Sequence, residues 1–110
     1  MEEESIEVYL HPNPEIRSYL THRTISPPRV GIFRNPLDEE ARGALRTLGE
    51  IPARIVMDIL SLPGVEEVHI KPKEIRVKKS ITVTWETIQG PIIETLRRSL
   101  RRKGIRIVKK

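Results

Sequence analysis

The sequence predicts an α+β fold in a single domain over residues 1–110: a mostly antiparallel sheet of four to six strands, with two main helices packed on one face. Three observations lead there. Short segments alternate apolar and polar residues between Pro- and Gly-rich stops, the pattern of half-buried strands. Two longer stretches carry apolar residues three and four apart, the spacing of amphipathic helices. The chain, at 110 residues, is long enough for one hydrophobic core and too short for two ordinary domains.

The elements follow in order. Ile6 to Leu10 alternates, with Ile6, Val8 and Leu10 on one face, and stops at His11-Pro12-Asn13-Pro14, where two prolines fix φ and hold His11 and Asn13 extended. Arg17 to Ile25 is expected to return as a second, antiparallel strand with Tyr19, Thr21, Arg23 and Ile25 on one face, ended by Pro27-Pro28. Val30 to Phe33 predicts a short third strand, and Asn35-Pro36 punctuates before Asp38-Glu39-Glu40, acids suited to a helix start. Leu37, Ala41, Ala44, Leu45 and Leu48 have helical spacing up to Gly49, with Gly43 a cost inside.

From Pro52, a good first helical residue, Ala53, Val56, Ile59 and Leu60 define a second helix through Leu62. Pro63-Gly64 ends it and starts a hairpin: Val65 to Lys71, a turn at Pro72-Lys73, then Ile75 and Val77. Ile81, Val83 and Trp85 prolong the alternation, with Thr84 an N-cap for the last helix and Thr87 where a capping box prefers Glu. Ile88, Ile92, Leu96 and Leu100 stripe that helix, broadened by Ile93, while Gly90-Pro91 marks a kink or its true start. Lys103-Gly104 is expected to close it, leaving Ile105 to Val108 as a final strand.

Composition narrows the function classes. Hydrophobic residues make up 37%, charged residues 32% and aromatic residues only 4%, so Ile, Leu and Val must fill the core. No apolar run approaches the roughly 20 residues of a spanning helix, and Met-Glu-Glu-Glu is the opposite of a signal-peptide start, which together predict a cytoplasmic protein. With no cysteine, the chain has no disulfides, thiolate metal sites or Cys nucleophiles. Abundant Arg, paired Glu and Arg, and nine prolines set largely in loops are features common in heat-adapted proteins.

No enzyme chemistry has a foothold: the sequence contains no phosphate-binding Gly loop, no Gly-x-Ser-x-Gly elbow and no His-Glu-x-x-His. His11, His22 and His69 fall at no metal-ligand spacing and are expected to be solvated or hydrogen-bonded, so no metal and no cofactor are predicted. Asp38, Glu39 and Glu40 are read as helix-start acids.

Two features suit partner recognition. Pro12-Asn13-Pro14 is a preorganised turn, either a recognition edge or a device that sets strand register. Trp85, the lone indole, either stacks on a partner or plugs the core with its N–H satisfied.

The order of strand, Pro-Asn-Pro turn, strand, helix, Pro-Gly-Val hairpin and Trp-Glu at a helix start resembles the N-terminal domain of the Nfu/NifU-like iron-sulfur scaffold family. The resemblance covers roughly residues 6–100. Pro12-Asn13-Pro14 stands where that family has Thr-Pro-Asn-Pro, with His11 for the Thr and Tyr19 where its aromatic falls. Leu62-Pro63-Gly64-Val65-Glu66-Glu67-Val68-His69 matches the Pro-Gly-Val segment, Ile75-Arg76-Val77-Lys78-Lys79 the strand after it, and Trp85-Glu86 the helix start. The acidic residue usual before the Trp is missing, and Val83-Thr84 takes its place. The family's cluster ligands lie in a separate Cys-x-x-Cys domain, and these residues contain no Cys. The resemblance therefore implies a non-catalytic accessory or adaptor role in cluster assembly or delivery, by protein–protein binding, with Pro12, Asn13, Pro14, Tyr19 and Trp85 as candidate partner-binding residues.

A second reading comes from charge. Arg97, Arg98, Arg101, Arg102, Lys103, Arg106, Lys109 and Lys110 follow Glu94 without an intervening acid, in a chain of net charge +5. On a helix the two Arg pairs lie along one side, a basic ridge that makes a nucleic-acid-binding protein the alternative reading, its cations neutralising phosphates; the same ridge could dock an acidic protein surface or be simply a solvated face. Few aromatics and no RNA-platform motif weigh against a sequence-specific RNA reader.

Overall fold

The computed structural model describes the backbone of residues 6–108 and the side chains of residues 6–100. Its elements are β1 (Glu7–Leu10), β2 (Ile16–Leu20), β3 (Gly31–Arg34), α1 (Glu39–Arg46), α2 (Glu50–Leu60), β4 (Val65–Lys71), β5 (Glu74–Lys79) and α3 (Trp85–Val108). The five strands form one sheet in the order β1-β2-β5-β4-β3, every pair antiparallel, so the fold is α+β and β5 is the central strand.

Strand alternation divides the sheet into two faces. Val8, Tyr19, Ile75, Val77, Ile70, Val68 and Phe33 are cross-strand neighbours on one face. There they join Ile55, Val56 and Ile59 of α2 and Ile88, Ile92, Leu96 and Leu100 of α3 in one core cluster. The helices thus cover one face. A bulge between Val65 and Glu67 lets Val65 share the side of Val68, three residues on, which strict alternation forbids.

Several boundaries differ from the sequence expectation. The second strand ends at Leu20 rather than Ile25, because the chain turns at His22 with φ of 43°. Ile25 is still buried: its segment folds back and its N–H donates to Pro72 O at 2.6 Å. Helix α1 forms with Asp38 as its cap, the carboxylate accepting from Ala41 N at 2.8 Å, and tolerates Gly43. Helix α2 begins at Glu50, two residues before Pro52, and ends at Leu60. Gly64 is required after it. Its φ is +88°, and a Cβ there would meet Val83 at 2.4 Å.

The third stretch of alternation, Ile81 to Trp85, is a turn and not a strand, and Ile81 is 81% exposed. Helix α3 then runs without a break through Gly90-Pro91, both on its exposed side, where water can meet the carbonyl freed by the missing proline N–H. Its start pairs the Thr84 and Thr87 hydroxyls at 3.1 Å in place of a capping box. The helix also continues through Gly104 to Val108, so the expected strand at 105–108 is instead helical; one interior Gly costs only about 1 kcal/mol. Among the described residues no helix is long and apolar enough to cross a membrane.

Candidate protein-docking surface

The Pro12-Asn13-Pro14 turn is exposed and held from several sides. Asn13 uses both oxygens on the local backbone: Oδ1 accepts from Glu15 N at 2.9 Å and its carbonyl accepts from Ile16 N at 3.0 Å. The Glu15 carbonyl accepts from Lys79 N at 2.9 Å, tying the turn to the end of β5. From the helical side Trp85 donates its indole N–H to Pro14 O at 2.8 Å. The sheet and α3 therefore clamp the turn between them.

Trp85 itself is only 9% exposed, so its indole belongs to the core, with its N–H satisfied by Pro14. The Arg17 guanidinium lies 4.9 Å and the Lys79 ammonium 5.8 Å from the ring centroid, two cations against one indole. Tyr19 is fully buried and offers a partner no surface; its hydroxyl donates to Gln89 Oε1 at 3.0 Å. Arg17 Nη1 donates to the same oxygen at 2.7 Å. Burial pushes the Tyr19 phenol far above its ordinary pKa, with Arg17 opposing, and the ring stays neutral. Of the five expected partner-binding residues, Pro12, Asn13 and Pro14 present surface, while Tyr19 and Trp85 support them from within.

Gln89 is the member of this group that sequence reasoning missed. It lies four residues after Trp85 and so on the same side of α3, a signal visible only once that helix start is known.

The histidines are all partnered. His11 Nε2 meets Ser18 Oγ at 2.8 Å, and Ser18 donates to Glu74 Oε2 at 2.8 Å. With its proton committed to Glu74, the hydroxyl accepts from His11, so the imidazole is no base toward it and the trio is not an activated nucleophile. His69 Nε2 meets Glu67 Oε2 at 2.8 Å, and this hydrogen bond holds the Glu67 carboxyl below its ordinary value against the opposing cost of burial. His22 faces Glu7 at 3.8 Å. Among the described residues no three His, Asp or Glu side chains converge where a metal ion could be held.

The basic ridge is partly in view. Arg97 and Arg98 are exposed, and Arg98 Nη2 lies 4.0 Å from Asp58 Oδ2 on α2. Arg101, Arg102, Lys103 and Arg106 lie beyond the described side chains, and Lys109 and Lys110 outside the described residues. An open depression of about 430 Å³, bounded by residues 24–27 and the start of α2, has a single titratable residue in its wall, Glu50.

The chain is similar in fold to a NifU-like protein. The solution structure of that Saccharomyces cerevisiae protein superposes with a TM-score of 0.66, covering 89% of this chain and 79% of the other at 19% identity. The crystal structure of protein SAV1430 from Staphylococcus aureus gives a TM-score of 0.60 at 17% identity, over 83% of this chain and 96% of that one. The solution structure of the same protein gives 0.58 at 16% identity, over 84% and 89%. At such identities the likeness is one of fold. No protein-family model matches this sequence, and no curated protein sequence does.

Proposed function

We propose that this chain is a non-catalytic accessory domain of iron-sulfur cluster assembly or delivery, acting by binding a protein partner and not by ligating a cluster through its own thiolates. The observation that carries the reading is the fold shared with a NifU-like protein over 89% of the chain, in a sequence that contains no cysteine. The exposed, clamped Pro12-Asn13-Pro14 turn supports it, since a rigid edge loses little entropy on docking.

Affinity capture from native lysate, with and without nuclease and read by mass spectrometry, tests the proposal. Cluster-assembly or iron-sulfur proteins retained after nuclease are the expected result. Ribosomal or DNA-bound proteins that vanish with nuclease overturn it in favour of the basic ridge. Asn13→Asp keeps the acceptor that caps Glu15 N, so it should weaken capture while leaving the melting temperature unchanged.

A further inference from the structure

The sheet face away from the helices is ordered by strand register into rows of side chains. The middle row reads Ile32, His69, Arg76, Ser18, Tyr9 across β3, β4, β5, β2 and β1. Its two ends are apolar and open to solvent, Ile32 and Tyr9 each 54% exposed. Its centre is a half-buried arginine on the central strand whose Nε is buried without a hydrogen-bond partner. A buried guanidinium N–H left unpaired is costly, and native proteins rarely leave one so.

The nearby carboxylates are engaged elsewhere. Glu67 is bonded to His69 at 2.8 Å with Arg34 at 3.6 Å, and Glu74 accepts from Ser18 at 2.8 Å with Lys71 at 3.8 Å. Glu7, at the far corner, faces His22. Arg76 takes part in none of these pairs, and Lys78 lies beside it on the same strand face. Lys78 sits opposite Glu67 and acts on that carboxylate, so the middle of the row is Arg76, outside these ion pairs, between two exposed apolar residues.

We infer that the open sheet face docks an acidic amphipathic helix of a partner protein, whose central Glu reaches Arg76 while apolar residues on either side cover Ile32 and Tyr9. Strand spacing puts each end of the row about 10 Å from Arg76. Two helical turns advance about 10 Å, so a helix with Leu, Glu and Leu seven residues apart on one face matches the row when laid across the strands. A bidentate carboxylate suits the planar guanidinium and would meet it at the two Nη groups, the end of the half-buried side chain that faces solvent, since Nε itself is buried. This deepens the docking reading above by naming a surface and the chemistry of its partner.

The probe is a capped helical peptide of about 20 residues carrying that Leu-Glu-Leu pattern on an Ala/Gln background, titrated into the ¹⁵N-labelled full chain. Saturable shifts at the Arg76 side-chain Nε–H and at the amides of His69, Arg76 and Ser18 are expected. A peptide with Gln for Glu should bind about tenfold more weakly, as should Arg76→Leu with the original peptide. The Gln peptide leaves the protein untouched, so the test stands even if the Arg76 variant unfolds. Equal binding of both peptides, no saturation, or shifts centred on Arg97 and Arg98 overturns the inference. So does a single-stranded oligonucleotide that shifts the same row more strongly than the peptide. The capture experiment tests the iron-sulfur role independently, because the peptide reports on this face alone.

Discussion

The two faces of the sheet are built from the same strands yet are held together differently. On the covered face Ile75, Val77, Val68 and Ile70 are fully buried against α2 and α3, so its stability is that of aliphatic area removed from water and close packing. On the open face the alternate residues of those strands form the His11–Ser18–Glu74 and Glu67–His69 hydrogen bonds, directional and in part charge-assisted. One face specifies the fold; the other leaves side chains available for recognition.

The largest contrast is expected at the centre of β5. Ile75→Ala on the covered face should cost about 3–4 kcal/mol by urea unfolding, since it empties a fully buried site. A cost below 1 kcal/mol would mean that the helices do not pack there. A smaller effect is expected at the margin where the covered face meets the Pro12-Asn13-Pro14 turn. Trp85→Phe keeps most of the aromatic bulk but loses the indole N–H to Pro14 O, for about 1–2 kcal/mol. It should also quicken amide exchange at Glu15 and Ile16, and unchanged exchange would uncouple the turn from α3.

The smallest effect belongs to the open face and depends on pH. Glu67 has its pKa lowered in the folded state, so its contribution is present above the ordinary carboxylate value of 4.5 and is lost as pH falls through the folded value. The wild type should therefore lose melting temperature more steeply below pH 4.5 than Glu67→Gln does. Parallel curves between pH 6 and pH 3 would remove Glu67 from the acid response.

Much of the covered face was legible in the residues. Periodicity placed Val56, Ile59 and Leu60 of α2 in the core, though not the fully buried Ile55, and the Pro-Gly hairpin, and Asp38 and Thr84 marked two helix starts, because these signals are local in sequence. The misplaced ends have a common cause. Thr21 to Ile25, beyond the paired part of β2, and Ile81 to Trp85 alternate like strands but have no neighbouring strand to pair with at those positions, and alternation without a partner does not make a strand. Gly90-Pro91 and Lys103-Gly104 looked like interruptions, yet α3 passes through both. Its apolar stripe is anchored in the core, and packing outweighs a weak local preference.

The candidate site divides the same way. The exposure of Pro12-Asn13-Pro14 follows from its residues, whereas Tyr19 and Trp85 are turned inward by contacts with Pro14 and Gln89 some 70 positions away in the chain. The Arg76 row has no sequence signature, since its five residues come from five strands.

By itself the sequence determined the order of most elements, the apolar side of each and the lack of thiolate chemistry, for these depend on residue type and short spacing. Only the tertiary structure decided that β5 lies at the centre, which cations lack partners and which apolar residues remain in water. Strand pairing joins residues far apart in the chain, and alternation gives each side chain a face but never names its neighbour across the sheet.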